Sequence, residues 1–168
     1  CKVIAAAGFV GEHSYSNSKY PIASGRPNAN DISYAMAFGE RISHKIDAVE
    51  SIEQLKAVNS NNITLPVQSD EEMSAFFADI KQAKINGVYF PLAPSTNEQL
   101  CNHCGICHLN CPNNAIEKGD ELNTNYEKCI KCCACIKLCP QDARSMDTPY
   151  SLFLNRYFTK DKENVIIL

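Results

Sequence analysis

The first pattern along the chain is an unbroken apolar run, Val3-Ile4-Ala5-Ala6-Ala7-Gly8-Phe9-Val10. A run of this length predicts a strand covered on both faces. Residues 11–30 are rich in Gly, Ser, Asn and Pro and are expected to be loop. Asp31 can then cap a helix whose apolar positions, Ile32, Met36, Gly39, Ile42 and Ile46, recur at intervals of three and four. That spacing predicts one buried stripe. Residues 49–58 continue or restart a helix, and Asn59-Ser60-Asn61-Asn62 breaks it. Ser69 and Glu72 stand three apart as a capping box, and Met73, Phe76, Phe77 and Ile80 follow on one face, which predicts a helix over 70–84. Residues 87–94 carry two prolines and are expected to be extended. Ser95 and Glu98 form a second possible capping box. Near the end, Leu152, Phe153, Tyr157 and Phe158 suit a short helix packed on the body. The apolar end, Val165-Ile166-Ile167-Leu168, is expected to dock.

The chain has 168 residues, enough for one ordinary domain or two small ones. Its 45% hydrophobic and 21% charged content fits a folded protein. A net charge of −3 gives no support to a nucleic-acid or membrane-surface partner. The short cationic groups, Lys128 with Lys131 and Lys160 with Lys162, read as solvated faces. No stretch approaches the roughly 20 apolar residues of a membrane span, and no secretory leader is recognisable. The chain opens on Cys1, without an initiator methionine, as expected of a piece of a longer protein.

Cysteine changes the picture most. Cys101, Cys104, Cys107 and Cys111 precede Pro112, and Cys129, Cys132, Cys135 and Cys139 precede Pro140. Each run reads C-x2-C-x2-C-x3-C-P, and the second lies 28 residues after the first. Disulfide frameworks scatter their cysteines, whereas eight of the ten here sit in two tight runs. Zinc sites also use C-x2-C pairs, but commonly with a longer gap between pairs. The spacing suits thiolate ligation of iron–sulfur clusters, and a reducing cytoplasm is the expected compartment. Ile106, Leu109, Ile116, Ile130, Ile136 and Leu138 are the apolar residues available to exclude water from such a site. Cys133, opposite Gly105 in the first run, reads as a small neighbour rather than a ligand. His103 and His108 read as solvent-facing or hydrogen-bonding, and Cys1 as core or boundary.

Residues 95–148 resemble the dicluster bacterial-type ferredoxin domain, including the Asn113-Asn114-Ala115-Ile116 and Gln141-Asp142-Ala143-Arg144 segments after each run. The resemblance implies two 4Fe-4S clusters with crossed ligation. Cys101, Cys104, Cys107 and Cys139 would hold cluster 1, and Cys129, Cys132, Cys135 and Cys111 cluster 2. Residues 2–16, with Gly25-Arg26-Pro27 and Ala37-Phe38-Gly39, resemble the last strand and helix of a flavodoxin-like domain. Together the two parts are similar to flavodoxin–ferredoxin fusion proteins of anaerobes. No flavin-phosphate loop is present in this chain, so FMN is expected only if an upstream segment supplies it. The expected fold class is α+β: a ferredoxin-like dicluster domain, a partial flavodoxin-like α/β segment and a helical linker. The corresponding divisions are 1–48, 49–94, 95–148 and a tail at 149–168.

These expectations imply an electron carrier between a donor and an acceptor redox protein. No nucleophile–base pair or open metal position is visible, so the chain itself is read as non-enzymatic. The alternative is the C-terminal part of a flavin-dependent oxidoreductase whose clusters feed electrons to FMN. A third possibility is a docking subunit whose N-terminal strand completes a sheet of an upstream segment or a second chain.

Overall fold

The computed structural model describes residues 2–59, 70–160 and 162–168. Cys1, the Ser69 end of the first expected capping box, and Ser60, Asn61 and Asn62 of the expected helix breaker lie outside them. No helix among the described residues is long and apolar enough to cross a membrane. The architecture is a small α+β arrangement of short elements around two cores.

The first strand, β1 (Ala6–Gly8), is much shorter than the apolar run that contains it. It pairs antiparallel with the C-terminal strand β4 (Val165–Ile167), Ala7 opposite Ile166. The apolar end therefore docks, as expected. The run is not covered on both faces, however: Ala7 and Gly8 within β1, and Val3 and Phe9 beside it, stand exposed. An apolar run records what a strand can bury, and here one antiparallel neighbour supplies only part of that cover.

Helix α1 spans Ala29–Asp47. Asn28, not Asp31, is its N-cap. The Asn28 Oδ1 accepts from the N–H groups of Asn30 and Asp31 at 2.9 and 3.2 Å, and Asp31 Oδ2 accepts from the Asn28 N–H at 2.7 Å. Asp31 thus closes a capping box from the third helical position. It is almost fully buried, held by the Arg26 guanidinium and by Asn164 Nδ2 at 2.7 Å. The hydrogen bond from Arg26 holds its carboxyl well below the usual carboxylate range.

The covered side of α1 runs through Asp31, Ala35, Phe38, Ile42 and Lys45. Phe38 meets Phe9 edge-to-face at 6.0 Å, and Lys45 Nζ donates to the Ile4 carbonyl at 2.7 Å. The expected stripe is therefore rotated by about one residue, and Ile32 (51%), Met36 (65%) and Ile46 (44%) remain exposed. A charged residue that finds full pairing can occupy the inner face, and periodicity alone counts only apolar residues.

Residues 49–58 hold only a short 3₁₀ turn (Ile52–Gln54), so no α-helix restarts there. Helix α2 (Asp70–Ile85) matches the expected span. Phe76 and Ile80 are buried, whereas Phe77 is 58% exposed and does not share their face. Helix α5 (Pro149–Tyr157) packs against α2. Thr148 caps it and Pro149 supplies a pre-set φ at its first turn. Phe76, Ile80 and Phe153 form the first core, edged by Phe90, Tyr150, Leu154, Tyr157 and Phe158.

The second capping box does not form, since no helix starts near it. Ser95 and Thr96 form β2 (Ser95–Thr96), which pairs antiparallel with β3 (Arg144–Ser145). That ladder closes the cysteine-bearing region, with one-turn helices α3 (Ile106–Leu109) and α4 (Ala134–Lys137) between. The second core is Cys107, Ile116 and Cys135, with Ile136 against it.

Candidate metal centre

The two cysteine runs fold alike, residue by residue. His103 and Lys131 have φ of 55° and 56°, and Gly105 and Cys133 have φ of 74° and 59°. These left-handed residues curl the chain so that the first two cysteines of each run and the third, on the following helical turn, face a common space. Asn114 and Asp142, again left-handed at 48° and 47°, turn the chain after each proline. Asn and Asp tolerate that conformation better than most side chains. The turns aim the Ala115 N–H at Cys111 Sγ (3.2 Å) and the Ala143 N–H at Cys139 Sγ (3.3 Å). The same repeat appears in the main-chain bonds Asn97 N–H to Ala143 O (2.7 Å) and Asn125 N–H to Ala115 O (2.8 Å).

Two cavities result. One is bordered by Cys101, Cys104, Cys107 and Cys139. The other is bordered by Cys111, Cys129, Cys132 and Cys135. In each, three thiols of the repeated motif come from one run and the fourth from the other, and the second cavity has Cys133 at its border as well. The nine described cysteines are all free thiols. Among the described residues, no group of three or more His, Cys, Asp or Glu side chains is arranged to hold a single metal ion. The thiols border the two spaces instead.

Cys107 and Cys135 are the buried members of the two sets, and they meet across Ile116, which is 2% exposed. Cys104 and Cys132 are exposed. Burial pushes the Cys107 and Cys135 thiols up, and the positive charge of Arg144 pulls both partly back. The donor chemistry fits a four-iron cluster in each cavity: four thiolates, an amide N–H to one sulfur, and apolar walls.

Cys133 borders the second cavity and is 3% exposed. Burial, followed by the charges of Cys135 and Cys132, pushes its thiol up to about 12, and its S–H points to the Lys131 carbonyl at 3.6 Å. His103 is half exposed and bonds Glu121 Oε2 through Nδ1 at 3.1 Å, while His108 Nδ1 lies 2.8 Å from the Ile116 carbonyl. The apolar shield is thinner than expected. Ile116 is buried and Ile106 and Ile136 are partly covered, but Leu109 (77%), Ile130 (62%) and Leu138 (49%) face solvent. A one-turn helix buries one side, here Cys107 and Cys135, and leaves the other, with Leu109, uncovered.

Two buried polar residues went unassigned at the level of sequence. Glu121 accepts the Gly119 N–H at 3.0 Å, which with the His103 contact holds its carboxyl below the ordinary value. Arg144 is 4% exposed. Its Nη1 donates to the Glu121 carbonyl at 2.7 Å, its Nη2 to Thr124 Oγ1, and its Nε has no partner. No motif contains Glu121. Arg144 could have been found by laying one run on the other, because a charged residue falls where the first run has Ile116.

The N-terminal loop covers part of the second run. Lys137 Nζ, from α4, donates to the Ser16 carbonyl at 2.7 Å and lies 3.4 Å from Glu12 Oε1. Ser151 Oγ donates to the Tyr15 carbonyl at 3.0 Å, and the Tyr15 and Tyr150 rings stack at 6.2 Å.

The 4Fe-4S binding domain family model matches residues 94–117 and again 122–145. These two matched repeats identify a ferredoxin-like iron–sulfur region and support iron–sulfur electron transfer. No curated protein and no solved structure matches the chain.

Proposed function

We propose that this chain carries single electrons through two 4Fe-4S clusters. Cys101, Cys104, Cys107 and Cys139 hold the first, and Cys129, Cys132, Cys135 and Cys111 hold the second. The observation that supports this reading is the crossed bordering of the two cavities by the motif thiols, three from one run and the fourth from the other, with Cys133 an additional neighbour of the second. The clusters, when bound, supply reversible one-electron oxidation and reduction. The chain's own residues do the rest. Eight thiolates anchor, the Ala115 and Ala143 N–H groups bond the fourth sulfurs, and Ile116 keeps water out between the inner ligands Cys107 and Cys135. Donor and acceptor proteins would approach over the exposed apolar residues Leu109, Ile130 and Leu138, beside the ligands. The thiolate chemistry suits a reducing compartment such as the cytoplasm.

Anaerobic reconstitution tests the assignment. About eight irons per chain are expected, two cubes of four, with a broad visible absorption that bleaches with dithionite. Cys111→Ser and Cys139→Ser together should remove most of the iron and the colour. A double variant that keeps the iron content and spectrum of the parent refutes crossed ligation. Two zincs and no colour refute the clusters.

A second reading rests on the exposed side of α1. Ile32, Met36 and Ile46 stand exposed, as do Val3 and Phe9, and leave apolar surface that an upstream α/β segment would cover. In such a parent the 1–48 division would complete a flavodoxin-like domain, and FMN bound there would exchange electrons with the clusters of 95–148. The reading frame upstream of Cys1 tests this: a flavin-phosphate loop rich in Ser, Thr and Gly supports it, and a stop codon removes it.

A further inference from the structure

Residues 28 apart share a backbone conformation or a hydrogen bond at 103 and 131, 105 and 133, 114 and 142, and 115 and 143. The next pair breaks the pattern. Ile116, 2% exposed, has Arg144, 4% exposed, as its mate. A buried guanidinium is strongly unfavourable unless a counter-charge and hydrogen bonds compensate it. Among the described residues no carboxylate lies within ion-pair distance of Arg144. Two of its nitrogens are satisfied by neutral acceptors, and Nε is buried without a partner.

The position of the side chain says where the missing negative charge belongs. Arg144 borders the first cavity, and its Nη2 reaches Thr124, which borders the second. We propose that Arg144 is an internal counter-charge shared by both clusters, positioned so that each gains an electron more readily. The inference rests on the two-cluster reading above. Reduction places one further negative charge on a cluster, the electron coming from the reductant with no bond made or broken. A fixed positive charge nearby in a medium of low dielectric favours the reduced form.

The test uses the full, anaerobically loaded chain and an electron paramagnetic resonance titration against a graded dithionite potential. Arg144→Ile is the informative variant, because the chain's own repeat puts Ile at the mate position. Both midpoint potentials should fall in Arg144→Ile and return toward the parent in Arg144→Lys, at equal iron content. Unchanged potentials in Arg144→Ile, or a shift at one cluster alone, overturn the proposal. Should Arg144→Ile take up no iron, Arg144→Lys decides: uptake restored supports the charge, and uptake lost again leaves Arg144 a structural strut. A parent chain that itself takes up no iron fails the two-cluster reading before any variant is compared, and this inference with it.

Discussion

Cys133 holds a backbone conformation that its side chain disfavours. Its φ of 59° matches the 74° of its mate Gly105, where glycine bears no such cost. The left-handed region costs a non-glycine residue about 1 kcal/mol or more, while the buried thiol returns a similar amount through packing. Cys133→Gly should therefore change stability by no more than about 1 kcal/mol and leave the iron content at the parent's level. Iron per chain and the denaturation midpoint check both parts. Loss of iron on this substitution would make Cys133 a ligand and undo the assignment of Cys132. At this scale the cysteines that border the two cavities were readable, because their spacing repeats without change in the two runs. Glu121 was not, because its importance lies in meeting Gly119 and His103 in space.

Between elements, α2 and α5 carry the larger apolar core. Phe153 sits against Phe76 and Ile80, with the Phe76 ring 5.0 Å from that of Phe158. Removing a buried phenyl ring costs about 3–5 kcal/mol, so Phe153→Ala should lower the thermal midpoint steeply. Phe77→Ala, at a position 58% exposed, should change stability by no more than about 0.5 kcal/mol. Far-UV circular dichroism melts of the two variants check the contrast. Equal effects would mean that Phe77 is packed into the same core as Phe153. The pattern of apolar positions located both helices, since a stripe and a cap suffice to predict existence and length. It misjudged which face of α1 is covered and put Phe77 with Phe76, because it cannot know that Asp31 finds Arg26 and Asn164. It overextended β1 for a related reason: the partner β4 lies more than 150 residues away and offers only three.

Over the whole molecule, two kinds of core coexist and should respond differently to metal removal. The α2·α5 core contains no cysteine and is built from rings and branched side chains. The region around the cavities has helices of four residues, strands of two, and Ile116 as its one buried large aliphatic side chain among the described residues. Helices that short are unstable alone, and so little buried apolar area cannot offset the ordering of the chain. Metal binding must then supply the folding free energy of this region, as it does in small metal domains. Under the proposed crossed ligation, neither run could fold without the other. Chelation under oxidising conditions should therefore unfold the two runs together, with loss of amide protection at Asn97, Ala115, Asn125 and Ala143, while the helical signal of α2 and α5 largely survives. Hydrogen exchange resolved by residue, followed beside circular dichroism, reads both. Runs that lose protection one at a time would contradict crossed ligation. Collapse of α2 and α5 at the same chelator concentration would show that the metal region holds the whole chain together.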